Sequence, residues 1–332
     1  MTTPLLPTTT TDGLSFELLG EVRGWRDGTE IPLGAPRQRA LLAVLLLRAG
    51  SPVGRDQLID GIWGDTTVAD GANLVQAYVS KLRRLFEPAR APRAAGGVLT
   101  RVGASYRLSI GPTQYDLGRF EQSVADARTL RSAGRSEAAE RALAAALDSW
   151  AGPALTGVSG PLLDVERARL AELRLAAVEE HAELALHLGG HARLVPHLLV
   201  LTTEHPYRER LWALLMIALY RGSRQADALA AYQRARNTLT ENLGLLPGPE
   251  LRGIEEAILA GRPDPLALAP VHPVHPVHPA PDAAPAHDTP PYRTEPATRR
   301  PHLALVGTGS AGPAPRAFAH GPWTDAGARL AR

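Results

Sequence analysis

Between Asn73 and Arg84 the chain reads NLVQAYVSKLRR, and a helical period gathers Asn73, Gln76, Ala77, Ser80, Lys81, Arg83 and Arg84 on one side. These residue types suit hydrogen-bond chemistry with nucleotides. Asn and Gln can pair bidentately with adenine and Arg or Lys with guanine, while Arg and Ser reach phosphate. The opposite side carries Val75, Val79, Leu82 and Phe86 at i, i+4, i+7 and i+11, the spacing of a core-facing stripe. A cationic face on an isolated helix is more often solvated surface than binding surface, so the surroundings decide. From Pro36 to Ile110 there are eleven Arg or Lys against five Asp or Glu. That excess, in a chain whose net charge is only +2, favours a polyanion through counterion release. A following hairpin adds Arg101 and Arg107.

The elements that must hold this helix follow from periodicity and turn signals. Leu14 to Val22 and Glu30 to Leu33 alternate as short strands around the turn Arg26-Asp27-Gly28. Pro36 opens a buried helix that stops at Gly50-Ser51-Pro52, a second helix spans Arg55 to Trp63, and the third begins near Asp70 or Ala72. After a Pro- and Gly-rich loop, Val98 to Val102 and Tyr106 to Ile110 form two strands about a turn at Gly103. Strands, three helices and a terminal hairpin describe an α+β winged helix-turn-helix domain over residues 14–112, preceded by a flexible stretch at 1–13. Residues 113–261 have helical period broken at Gly134, Ala151-Gly152-Pro153, Gly189-Gly190, His205-Pro206, Gly222 and Leu246-Pro247-Gly248, as in paired antiparallel helices. Tyr220, Gly222, Ala228, Tyr232 and Ala235 approximate the interlocking positions of a tetratricopeptide hairpin, so this part is expected to be an all-α, tetratricopeptide-like domain. Residues 262–332 are rich in Pro and His and are expected to be disordered.

Composition removes several alternatives. The chain has no cysteine, which excludes disulfides, thiolate metal sites and Cys nucleophiles. Its first residues lack the basic and apolar regions of a secretory signal. The longest strongly apolar run, Ala40 to Leu47, is far below the ~20 residues needed to span a bilayer, so no membrane association is expected. A cytoplasmic, nucleoid-associated protein fits these features. Arg outnumbers Lys throughout, with Lys81 the single lysine, a bias that a GC-rich genome explains.

Three patterns that could suggest other chemistry fail on inspection. Gly307, Gly309 and Gly312 satisfy GxGxxG, but Pro313 and Pro315 prevent the helix whose N-terminus would cradle a pyrophosphate. His272, His275 and His278 recur every third residue, yet the proline after each holds them extended, and low complexity explains them better than metal binding. His187 and His191 have i, i+4 spacing with Gly189-Gly190 between them, which favours surface or capping roles. Trp150, Trp212, Tyr220 and Tyr232 read as core aromatics. No acid, base and nucleophile converge, so no enzyme, cofactor or metal is expected.

The segments FELLGEV, IPLGAPRQRALLAVLLLRAGSPVGRDQLIDGIWG, ANLVQAYVSKLRRLFEP and LTRVGASYRL resemble the winged-helix domain of the Streptomyces antibiotic regulatory protein family. WAGPAL, LAELRLAAVEE, EHPYRERLWALLMIALYRGSRQADALAAYQRAR and ENLGLLPGPEL resemble the bacterial transcriptional activation domain of that family. The resemblance covers residues 14 to 261 and implies a small member without an ATPase module, in keeping with the lack of a GxxxxGK[ST] phosphate loop in this sequence. It implies a sequence-specific activator of secondary-metabolite gene clusters that binds direct repeats as a dimer on double-stranded promoter DNA and recruits RNA polymerase holoenzyme through its sigma factor. By position, residues 73–84 correspond to the recognition helix of an OmpR-like winged helix, Arg101 to Arg107 to the wing, and Arg55 joins the DNA-binding set. The loop Gly64, Asp65, Thr66, Thr67, Val68 and Ala69 corresponds to the one that faces polymerase. The turn Gly103-Ala104-Ser105-Tyr106 is less Gly-rich than the family pattern, which predicts a looser wing tip. The other reading is a tetratricopeptide-like adaptor that binds a protein partner without sequence-specific DNA recognition.

Overall fold

The structure, a computed structural model, describes residues 13–64, 70–88 and 97–263. Strands β1 (Leu14–Glu17), β2 (Arg23–Arg26) and β3 (Thr29–Glu30) form an antiparallel sheet in that order. Asp27 and Gly28 both have positive φ, 53° and 77°, so β2 turns into β3 through the type I′ geometry that an Asp-Gly pair favours. Helix α1 (Pro36–Leu47) follows, with Ala40 to Leu46 fully buried. Next come β4 (Pro52–Gly54), α2 (Arg55–Trp63), α3 (Gly71–Phe86), β5 (Leu99–Val102) and β6 (Ser105–Leu108), and the second sheet has the order β4-β6-β5. β4 is too short, and too closely bounded by Pro52 and Gly54, to show alternation in the sequence. The continuous strand expected over 14–22 instead ends at Glu17.

The helices that follow are α4 (Asp116–Ser132), α5 (Ser136–Asp148), α6 (Pro161–His187), α7 (His191–Glu204), α8 (Glu209–Arg221), α9 (Gln225–Leu243) and α10 (Pro249–Leu259). Every break expected from the sequence falls between two of them. Ala228, Tyr232 and Ala235 of α9 are buried with Leu211 to Leu219 of α8, which realises the tetratricopeptide-like pairing. No described helix is long and apolar enough to cross a membrane, and no group of three His, Asp or Glu among the described residues could hold a metal. His187 bonds the Glu183 carbonyl at 3.0 Å, a helix-surface role. The expected tail, with its GxGxxG and VHP motifs, lies outside the described residues beyond Pro263.

Two cores result, and they do not divide where α4 begins. One runs without interruption from Leu14, Phe16 and α1 to α3 through Phe120, Leu147, Leu163 and Leu170. The other gathers Leu175, Leu186 and the apolar faces of α7 to α10. The long helix α6 therefore serves both: Leu163, Leu170, Ala177, Val178 and Leu184 lie in the first core, and Leu175, Ala182, Ala185 and Leu186 in the second.

Backbone hydrogen bonds reinforce this union. Asp116 is 3% exposed, and its carboxylate accepts the amides of Leu18 and Leu19, each at 2.8 Å, and of Leu117 at 2.7 Å. Burial raises this carboxyl above its ordinary value, while the three amide donors oppose the rise. Because the Leu18 and Leu19 amides are turned to Asp116, they cannot extend β1. The carbonyls of Leu19, Leu18 and Gly20 accept the amides of Ala151, Leu155 and Thr156 at 2.9 Å each, so the non-helical segment 149–160 lies along residues 18–20, just past β1. At its end Gly160 has φ 156°, and a Cβ there would fall 2.7 Å from the Gly61 carbonyl and 2.9 Å from Ile62 Cα. Only glycine lets α6 start against α2.

Candidate nucleic-acid interface

Helix α3 is held from three sides. Val75, Val79, Leu82 and Phe86 are buried as the period predicted, and Phe86 meets Phe16 of β1 edge-on at 5.3 Å. Tyr78 stacks on Trp63 of α2 with centroids 6.4 Å apart. The face left to solvent carries Asn73, Gln76, Ala77, Ser80, Lys81 and Arg84, all exposed. Donors, acceptors and cations thus lie over about three helical turns on one convex surface, the size and chemistry that a major groove admits.

Within that set, individual side chains differ. Asn73 donates from Nδ2 to Asp70 Oδ1 at 2.6 Å, so its amide is already oriented at the start of the helix. Lys81 and Arg84 make no ion pair among the described residues and extend outward. Arg83 is only half exposed and points the other way, its Nε donating to the Leu99 carbonyl of β5 at 2.8 Å. Arg55 begins α2, pairs weakly with exposed Asp56 at 3.4 Å, and its amide donates to the Ala104 carbonyl at 3.2 Å. That bond ties α2 to the tip of the hairpin.

The hairpin itself is tight. Val102 pairs with Ser105 across Gly103-Ala104, and Gly103 alone of the two has positive φ, 61°, as in a two-residue type II′ turn. The single glycine at the first central position suffices, so the looser tip expected from the sequence is not found. Thr100 pairs with Arg107 and Arg101 with Tyr106. Cross-strand partners share a face, so Arg101 and Arg107, both exposed, project from opposite faces of the wing. Arg101 Nε folds back onto the Gly103 carbonyl at 2.8 Å.

Of the loop expected to face polymerase, Gly64 is described and Asp65 to Ala69 lie outside the described residues. Gly64 has φ 63°, and a Cβ there would sit 3.0 Å from Pro161 Cγ, so the end of α2 lies against the first turn of α6. Arg26 escaped the sequence reading. Its Nη1 donates to the Leu85 carbonyl at 2.6 Å, in the last turn of α3, where helix carbonyls lack partners of their own. No local signal in the strand RGWR announces this, because the acceptor lies 59 residues away.

Comparison with known proteins agrees with this architecture. Residues 28–108 match the family described as "Transcriptional regulatory protein, C terminal", and residues 115–259 match "Bacterial transcriptional activator domain". The regulatory protein DnrI of Streptomyces peucetius is 35% identical over 254 residues, which cover 75% of this chain and 93% of that protein. This chain belongs to the Streptomyces antibiotic regulatory protein family. Within the family, the regulatory protein AfsR of Streptomyces coelicolor is 42% identical over 250 residues, 75% of this chain and 24% of its own length. The chain thus spans about a quarter of AfsR. The transcriptional regulatory protein EmbR of Mycobacterium tuberculosis is 40% identical over 252 residues, 75% of this chain and 64% of its own length. A solved structure of Mycobacterium tuberculosis EmbR, in complex with a low affinity phosphopeptide, superposes with a TM-score of 0.73 at 39% identity, covering 77% of this chain and 67% of that one. Both matched domains are those of transcriptional regulators, and the relatives named above are regulatory proteins.

Proposed function

We propose that the chain is a sequence-specific, DNA-binding transcriptional activator that works in the cytoplasm on double-stranded promoter DNA. The observation that carries this reading is the exposed face of α3. A helix whose buried side locks into a winged-helix core presents Asn73, Gln76, Ala77, Ser80, Lys81 and Arg84 outward, and neither Lys81 nor Arg84 makes an ion pair among the described residues. In this reading α3 enters the major groove, and the wing, with Arg101 and Arg107, lies on the adjoining backbone beside Arg55. Gly64 and the residues to Ala69 face RNA polymerase holoenzyme and its sigma factor. Two copies bind direct repeats side by side about one helical turn (~10.5 bp) apart, and the target promoters belong to a secondary-metabolite gene cluster.

The test is footprinting of the full chain on promoter regions of its genomic neighbourhood at several salt concentrations. Protected direct repeats with a steep salt slope support the proposal. Insertion of half a helical turn between the repeats should abolish joint binding, and unchanged affinity would remove the side-by-side arrangement. No protection on any neighbouring promoter would favour an adaptor that uses the helical domain alone.

A further inference from the structure

We infer that Arg83 is a positioning residue, which sets the angle between the recognition helix and the wing, and that it does not itself touch DNA. The inference rests on the DNA-binding reading above. Arg83 lies between two exposed cations, Lys81 and Arg84, and by residue type would join them. Its guanidinium instead turns inward, and Nε donates at 2.8 Å to the Leu99 carbonyl at the start of β5, which is fully buried. Leu99 pairs with Leu108 in β6, and β6 pairs with β4, so this bond fastens α3 to the central frame of the wing rather than to a loose end.

A second guanidinium acts on the same turn from the other side. Arg26 of β2 donates to the Leu85 carbonyl at 2.6 Å, two residues beyond Arg83. The last turn of α3 is therefore tied to both sheets, one through each arginine, while its middle is held by packing, at Val79 and Leu82 and through Tyr78 stacked on Trp63. Packing restricts how far the helix can lift from the core. It does little to stop rotation in the plane of the core, and two directional bonds at one end do stop it. Such rotation would carry Gln76 and Asn73, at the far end of the helix, furthest from their targets while the wing stayed on its own contacts. Simultaneous engagement of helix and wing needs the angle fixed in advance.

Lysine separates the two roles. A phosphate contact is served by a point charge, so Arg83→Lys would keep most of the binding if Arg83 touched DNA. Arg83 is half-buried and donates from Nε, partway along its side chain, where lysine has a methylene and no donor. The experiment compares full-length wild type, Arg83→Lys and Arg83→Gln, with two measurements on each. Amide hydrogen exchange without DNA should be faster in peptides covering residues 97–108 in both variants, with the helices α7 to α10 unchanged as an internal control for folding. Affinity for a promoter that the wild type protects should fall by about tenfold, to the same extent in both variants. Unchanged exchange in 97–108, or affinity in Arg83→Lys equal to wild type, overturns the inference. Should one variant fail the folding control, the other supplies both measurements. If the wild type protects no promoter, the DNA-binding reading fails on its own, and the exchange measurement alone decides whether Arg83 positions the wing.

Discussion

Arginine does opposite work in two regions of this molecule. Where the winged helix meets the helical domain, Arg37 donates to the carbonyls of Ile62 and Ser159, Arg39 to Gly157, and Arg167 to Ala154, Leu155 and Val158. These guanidiniums satisfy main-chain acceptors in the last turn of α2, at Ile62, and along the segment 149–160, which has no secondary structure to pair them. On the outer face of α3, Arg84 and the neighbouring Lys81 are exposed and bond no such acceptor among the described residues, which leaves their donors open in the proposed reading. Residue type is the same in both places. What differs is whether a fixed carbonyl lies within reach, and that depends on residues far away in sequence.

The largest effect should come from the junction. Asp116→Ala leaves the amides of Leu18 and Leu19 buried without acceptors, so urea denaturation should show a loss of ~3 kcal/mol. Its loss should also lower the apparent affinity for DNA, because β1, against which Phe86 packs, is anchored by those amides. A variant as stable as wild type would mean that segment 149–160 alone holds the N-terminal strand. Gly160→Ala should come next, with a loss of ~2 kcal/mol from the clash with α2, visible as a lower melting temperature.

The DNA face should behave in the reverse manner. Lys81→Ala and Arg84→Ala should each change stability by less than about 0.5 kcal/mol, since both side chains are exposed. Each should weaken promoter binding by ~1 to 3 kcal/mol where it reads a base, measured by titration at fixed salt. Lys81 is also the single lysine of the chain, so an amine-directed label reports on it with only the α-amine as competitor. Protection of that label by promoter DNA would place Lys81 at the interface without any substitution.

Much of this was legible in the sequence. The buried stripe of α3 follows from a local period, and so do the breaks at Gly134, Gly189-Gly190 and Gly222, because each is decided by residues within a turn or two. The contacts that were not legible join distant segments. Asp116 to Leu18 spans 98 positions and Arg26 to Leu85 spans 59, and neither leaves a mark on its own neighbourhood. The same holds for Arg83. Its position on a helical wheel allows it to face outward, and it is a bond to the Leu99 carbonyl, 16 residues on, that turns its Nε inward. The sequence also did not indicate that α6 belongs to two cores, since its 27 residues form one helix with no break to mark the change.

The smallest effect should come from the wing. Arg101 and Arg107 lie on opposite faces of the β5–β6 hairpin, so they cannot serve the same phosphate unless the hairpin twists. Each alanine variant should therefore cost about 0.5 to 1 kcal/mol on specific and non-specific DNA alike, and reduce the salt slope by about one. The double variant should lose the sum of the two to within about 0.5 kcal/mol, as independent sites do. Arg101 is already folded onto the Gly103 carbonyl, and the turn it braces also receives the Arg55 amide through Ala104. A coupling larger than that margin would mean the two arginines act through this shared tip, which would align the wing with the carbonyl-bonded arginines of the junction rather than with the open face of α3.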